Sequence, residues 1–132
     1  MEFLVACLGV WFGGGIYFVL TMGIGDPLWW AGLSPEEQLM LASVILTGGV
    51  ISALGTRLNG GWQYSPLLRA AGLMMHAGAL WFLTFSIAGN PDSVHGVPSG
   101  FFTYSGLAVA ITWTAYMAAL DVVKMRRIRR HG

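Results

Sequence analysis

The stretch that decides the fold is AAGLMMHAGALWFLTFSIAGNP, residues 70–91, which contains no Asp, Glu, Lys or Arg. About 20 apolar residues in a helix cross the hydrocarbon core of a bilayer, so this stretch alone is long enough to span one. Because it is continuously apolar and does not alternate, it predicts a helix and not a strand of a membrane barrel. The charge-free windows of the chain are residues 3–25, 38–56, 70–91 and 93–120.

The composition supports the same interpretation. Of the 132 residues, 55% are hydrophobic and 10% are charged, whereas soluble domains carry about 25% charged residues. Soluble helices also need a charged face, and four helices here would have none. We therefore predict an all-α polytopic membrane protein, a single domain of four transmembrane helices. The predicted spans are residues 3–22, 36–56, 67–88 and 100–123, followed by a basic tail at 124–132.

The charges between the spans predict the topology. Basic residues flank the second connection and fill the tail KMRRIRRHG, whereas the Asp, Glu, Lys and Arg residues of the first and third connections are all acidic. Because Lys and Arg prefer the cytoplasmic side of a membrane, we expect both termini to lie inside. The tail would contact anionic lipid headgroups and not nucleic acid. The predicted topology anchors are Arg57, Arg69, Lys124, Arg126, Arg127, Arg129 and Arg130.

Small residues recur at helical spacing and predict where helices pack. The first span contains a GxxxG pattern, the second has Gly and Ser four residues apart, and the third has Gly four residues before its only histidine. Such spacing lets two helices approach closely. The GxxxG pair would contact either the protein's own spans or a second copy of the chain. The predicted packing residues are Gly9, Gly13, Gly48, Ser52 and Gly72.

His76 lies in the middle of the third span. The small residues Gly72 and Ala79 share its helix face, so we expect the ring to point into the bundle. An ionisable group within a membrane is by default a functional hypothesis. Three roles remain open: a structural side chain, a ligand or cofactor contact, and a proton-linked site. For the structural role, the candidate hydrogen-bond partners are Thr47, Ser52, Thr112 and Tyr116.

No cofactor or metal site is predicted for one chain alone. Haem b in membrane bundles is usually held by two histidines, and here His95 lies in a loop and His131 in the tail. His76 would therefore need a second subunit to hold a haem. A structural zinc site takes four Cys, His or carboxylate ligands, and the sequence shows no such cluster.

Asp121 ends the fourth span just before the basic tail. Its simplest role is an ion pair with Lys124 or a tail arginine, and the alternative is a proton or cation site. The sequence contains no serine nucleophile motif, Walker loop, HExxH or paired carboxylates. We therefore expect a protein that is not an enzyme.

Several features of the second half form a pattern. NGGWQYSPLLR, residues 59–69, precedes a span with His76 and Trp81, and residues 119–121, Ala-Leu-Asp, precede the basic segment. This pattern, over residues 58–127, resembles small multi-pass membrane proteins of tailed bacteriophages, some of which are holins or virion membrane components. The chain departs from it at Gly61, which is often basic there. The resemblance assigns no site residue.

The resulting functional hypothesis is a small non-enzymatic membrane protein that assembles in the bacterial inner membrane, holin-like or structural. Its expected partners are the lipid bilayer and either further copies of itself or a larger membrane complex. One alternative is the membrane-anchor subunit of a redox complex, with His76 at a haem or quinone site. The other is a small proton-linked transporter or channel that uses His76 and Asp121.

Overall fold

The computed structural model describes residues 2–28, 31–58, 62–89 and 98–131, apart from the side chains of residues 98–100 and 125–131. Each helix is long and apolar enough to cross a membrane, which confirms the predicted all-α fold with four spans. The chain is a multi-pass membrane protein. Its helices are α1 (Glu2–Thr21), α2 (Pro35–Arg57), α3 (Ser65–Gly89) and α4 (Pro98–His131).

Local chemistry explains where the helices begin and end. At the start of α2, the Ser34 hydroxyl accepts from the backbone N–H of Glu37, and the Glu37 carboxylate accepts from the backbone N–H of Ser34. Pro35 fits the first turn because its missing N–H would have no partner there. After α1, Gly23 adopts a φ of 64°, a left-handed conformation that ends the helix. The last helix runs to His131, beyond the predicted end of the span at 123, because residues 124–131 contain no glycine or proline.

The helices run up and down, and each packs closely on the next one along the chain. We call one end of the bundle the basic end: α1 and α3 begin there, α2 ends there, and Asp121 of α4 lies there. The two central helices are the most enclosed, since half of the span of α3 is buried within the protein against 17% of the span of α4. The two outer helices, α1 and α4, therefore form most of the surface that faces lipid.

Two apolar clusters fill the bundle and leave His76 between them. One cluster lies toward the α1–α2 loop and includes Ile45 and Leu83. The other lies toward the basic end, where Leu73 and alanines of α3 and α4 pack with Val5 of α1. Because His76 falls between Leu73 and Leu83 along α3, its ring lies near the middle of the bundle.

Candidate functional site

The His76 ring is enclosed by two other helices. Only 3% of the residue is exposed. On the α1 side, a methyl group at Gly9 would overlap the Nε2 edge of the imidazole, and on the α2 side one at Gly48 would lie 3.6 Å from Cε1. The ring therefore occupies space that exists because position 9 has no side chain, and it lies at ordinary van der Waals distance from position 48.

Further close contacts extend this packing along the helices. A Cβ atom at Gly72 of α3 would overlap the Ser52 hydroxyl and would lie 2.5 Å from the carbonyl oxygen of Gly48 on α2. One at Gly13 of α1 would lie 2.7 Å from the backbone nitrogen of Leu46 on α2. The five packing residues named from the sequence thus lie at contacts within one chain, and the GxxxG pair of α1 faces the protein's own helices.

Two further glycines, which were not predicted from the sequence, also lie at close contacts between helices. A Cβ atom at Gly49 would lie 2.8 Å from the backbone nitrogen of Val10 on α1, and one at Gly55 would lie 2.8 Å from that of Arg69 on α3. The signal was available, because Gly48 and Gly55 are two helical turns apart and share a face. Gly49 then serves the neighbouring face, so α2 contacts α1 and α3 through adjacent residues.

The predicted hydroxyl partner of His76 is wrong. Both ring nitrogens are buried, no hydroxyl group of the described residues bonds to either one, and the polar groups beside the ring are backbone groups of Ile45 and Gly72. Ser52 donates instead to a backbone carbonyl group at the start of α3, and Thr112 donates to a carbonyl group of its own helix. Thr47 and Tyr116 face outward. The ring lies instead beside the backbones of α1 and α2, at Gly9 and Gly48.

The geometry around His76 does not fit a haem. A metal ion bound by a histidine lies about 2 Å from the ring nitrogen. Here Nε2 is packed against Gly9 and Nδ1 is also buried, so neither nitrogen leaves space for an ion and a macrocycle. Within the part of the chain that the structure describes, no group of three His, Cys, Asp or Glu side chains could hold a metal ion.

A second polar site lies at the basic end, around Arg69. Its Nη1 atom lies 2.9 Å from a carboxylate oxygen of Glu2 on α1, and its Nη2 atom lies 3.5 Å from one of Asp121 on α4. The Arg69 side chain is only 12% exposed, and its Nε atom is buried without a hydrogen-bond partner. Arg69 thus joins the two outer helices through two carboxylates.

The other charged candidates surround this ion network. Asp121 also pairs with Lys124 at 3.8 Å, but the Lys124 side chain is 69% exposed. Arg57 ends α2 at the surface, and the side chains of the four tail arginines lie outside the described residues. The sequence reasoning did not identify Glu2, although its position before the first span places it on the same side as Arg69 in the four-helix topology.

The opposite end has a buried amide that the sequence reasoning also missed. Gln38 is fully buried in the first turns of α2. Its side-chain oxygen accepts from the backbone N–H of Leu28 at 3.1 Å, and its nitrogen donates to the Leu33 carbonyl group at 2.8 Å and to the carboxylate of Asp26. These bonds fasten the α1–α2 loop to the helix. A lone amide at the start of an apolar span was the available signal.

No family model, curated protein or solved structure matches the chain. The resemblance to phage membrane proteins therefore stays a prediction.

Proposed function

We propose that the protein is a non-enzymatic component of the bacterial inner membrane that acts by lateral assembly, either as a holin-like protein or as a structural one. The observation that carries the proposal is that the polar groups of the interior contact other parts of the same chain. Arg69, Gln38 and Ser52 bind other parts of the same chain, and His76 is enclosed by glycine. Each of these groups stabilises the fold of the chain itself.

The exposed surface supports the same proposal. The outer helices carry large apolar side chains that point away from the bundle, including Trp11 at 82% exposed on α1 and Phe102 at 70% exposed on α4. In a bilayer, such faces contact either lipid or another protein. The outward faces of α1 and α4 are the parts of the molecule through which we expect it to act.

The two alternatives fit the geometry less well. A redox anchor would need a free His76 nitrogen, and both nitrogens are enclosed. A proton-linked transporter would need Asp121 or His76 on a wet path, but Asp121 is paired with Arg69 and Lys124. These arrangements favour the assembly role over both alternatives.

The test is to induce the full-length protein in bacteria and, in parallel, to purify it into lipid nanodiscs. We expect a colourless homo-oligomer by light scattering. Entry of a membrane-impermeant dye into the cells on induction would identify a holin-like protein. An oligomer that forms without dye entry would identify a structural one. A Soret band would contradict the proposal in favour of the redox anchor, and a colourless monomer would contradict lateral assembly.

A matched pair of variants sharpens this test. Trp11→Ala changes an outward side chain and leaves the interior contacts intact, so we expect it to reduce the oligomer mass if α1 takes part in assembly. Phe102→Ala makes the same test for α4. If neither variant changes the mass of an observed oligomer, these two positions lie outside the assembly surface.

A further inference from the structure

The seams between neighbouring helices are unequal. The α1–α2 and α2–α3 seams are closed by glycine, so the backbones touch. At the α3–α4 seam, alanine residues 115 and 118 are fully buried, and Trp81 donates a hydrogen bond to Thr112 at 3.1 Å. Among the described residues, the backbones of α1 and α4 have no comparable approach. Val5 of α1 packs against a cluster that Ala70 and Leu73 of α3 form with two buried alanines of α4.

The Arg69 ion network lies across that loose seam. Glu2 belongs to α1 and Asp121 to α4, and both carboxylates bind the same guanidinium group. Arg69 itself belongs to α3, whose close contacts with α2 and α4 fix its position. The network therefore supplies a specific polar link between the two outer helices.

Because Arg69 is largely buried, the loss of this link would destabilise the protein. A partly buried ion whose partners are removed is strongly unfavourable, because the remaining charge has neither water nor a counter-ion. An arginine side chain can lay its apolar stem along the protein and place its charged group in water. At this position, the counter-ions of the guanidinium group are the carboxylates of Glu2 on α1 and Asp121 on α4.

We propose that Glu2, Arg69 and Asp121 form a latch that holds the basic ends of α1 and α4 together, and that the α1–α4 seam is where the bundle opens sideways. The latch is a property of one chain and does not depend on the proposed assembly function. When it is intact the seam is closed, and when both carboxylates are neutral the seam opens at the basic end while the rest of the bundle stays packed.

The experiment measures distances between spin labels in nanodiscs, with the native cysteine removed by Cys7→Ser. One labelled pair, Leu4→Cys with Val123→Cys, reports on the basic ends of α1 and α4. The other pair, Met22→Cys with Phe102→Cys, reports on the opposite ends. All four positions are exposed, so the labels leave the interior contacts unchanged.

We expect the double variant Glu2→Gln with Asp121→Asn to lengthen the basic-end distance by about 5 Å, roughly half the spacing of two packed helices. The opposite-end distance should not change. Glu36→Gln is the matched control, an acid-to-amide change on an exposed residue at the other end.

An unchanged basic-end distance in the double variant would overturn the latch, and so would equal lengthening at both ends, which indicates general loosening. If the double variant does not fold, the single variants decide. Glu2→Gln and Asp121→Asn must each lengthen the basic-end distance more than Glu36→Gln does, and the absence of that difference overturns the proposal.

Discussion

The two faces of α1 carry the same residue type in opposite environments. Gly9 and Gly13 face inward, where an added methyl group would overlap His76 or approach the backbone of α2. Gly15, two residues beyond Gly13, faces outward, and a methyl group there would meet nothing within 4 Å. A glycine in a membrane helix therefore indicates a close contact only when its face points toward another helix. Glycine-to-alanine substitutions on the two kinds of face test this difference.

The largest effect is expected for Gly72→Ala. The new methyl group would lie 2.5 Å from the Gly48 carbonyl oxygen and 2.7 Å from the Ser52 backbone nitrogen, so the α2 and α3 backbones must separate. Overpacking of this kind costs 1–3 kcal/mol and occasionally more, so we expect a loss of about 3 kcal/mol in the free energy of unfolding. Unfolding in mixed micelles measures it. A loss below about 1 kcal/mol would contradict the close α2–α3 contact.

A smaller effect of opposite sign is expected for Gly15→Ala and Gly78→Ala. Neither methyl group would meet an atom within 4 Å, and alanine is the better helix former by about 1 kcal/mol. Each variant should leave the free energy of unfolding unchanged or raise it by up to that amount. A clear loss measured in nanodiscs but not in detergent would show that the outward face packs against another chain.

The four spans could be predicted because each depends on a local property, a long stretch without charge. The inward position of His76 was also readable, since Gly72 and Ala79 lie on its face. The Arg69 link to Glu2 was not, because it depends on which helices become neighbours, and residues 2 and 69 are far apart in sequence. The same limit applies to Gln38, whose partners lie in a loop, and to the choice between the inward and outward glycines of α1.

The missing hydroxyl partner of His76 illustrates a second limit on what the sequence can predict. Sequence alone offers many hydroxyl groups in the spans, and a buried polar ring normally finds a partner. Here the ring nitrogens face helix backbones that approach through glycine. Because that packing depends on backbone positions to within an ångström, helical spacing could not predict it.

The most direct test of the central claim, that His76 and Gly9 pack against each other to hold α1 on the bundle, is a double-mutant cycle. Gly9→Ala, His76→Ala and the double variant are compared with the unmodified protein in mixed micelles. We expect Gly9→Ala to destabilise the protein by about 2 kcal/mol, and to cost at least about 1 kcal/mol less when His76 is also alanine, because contacting residues are not additive. If the two substitutions add within about 0.5 kcal/mol, the ring does not occupy the space above Gly9 and the account is wrong.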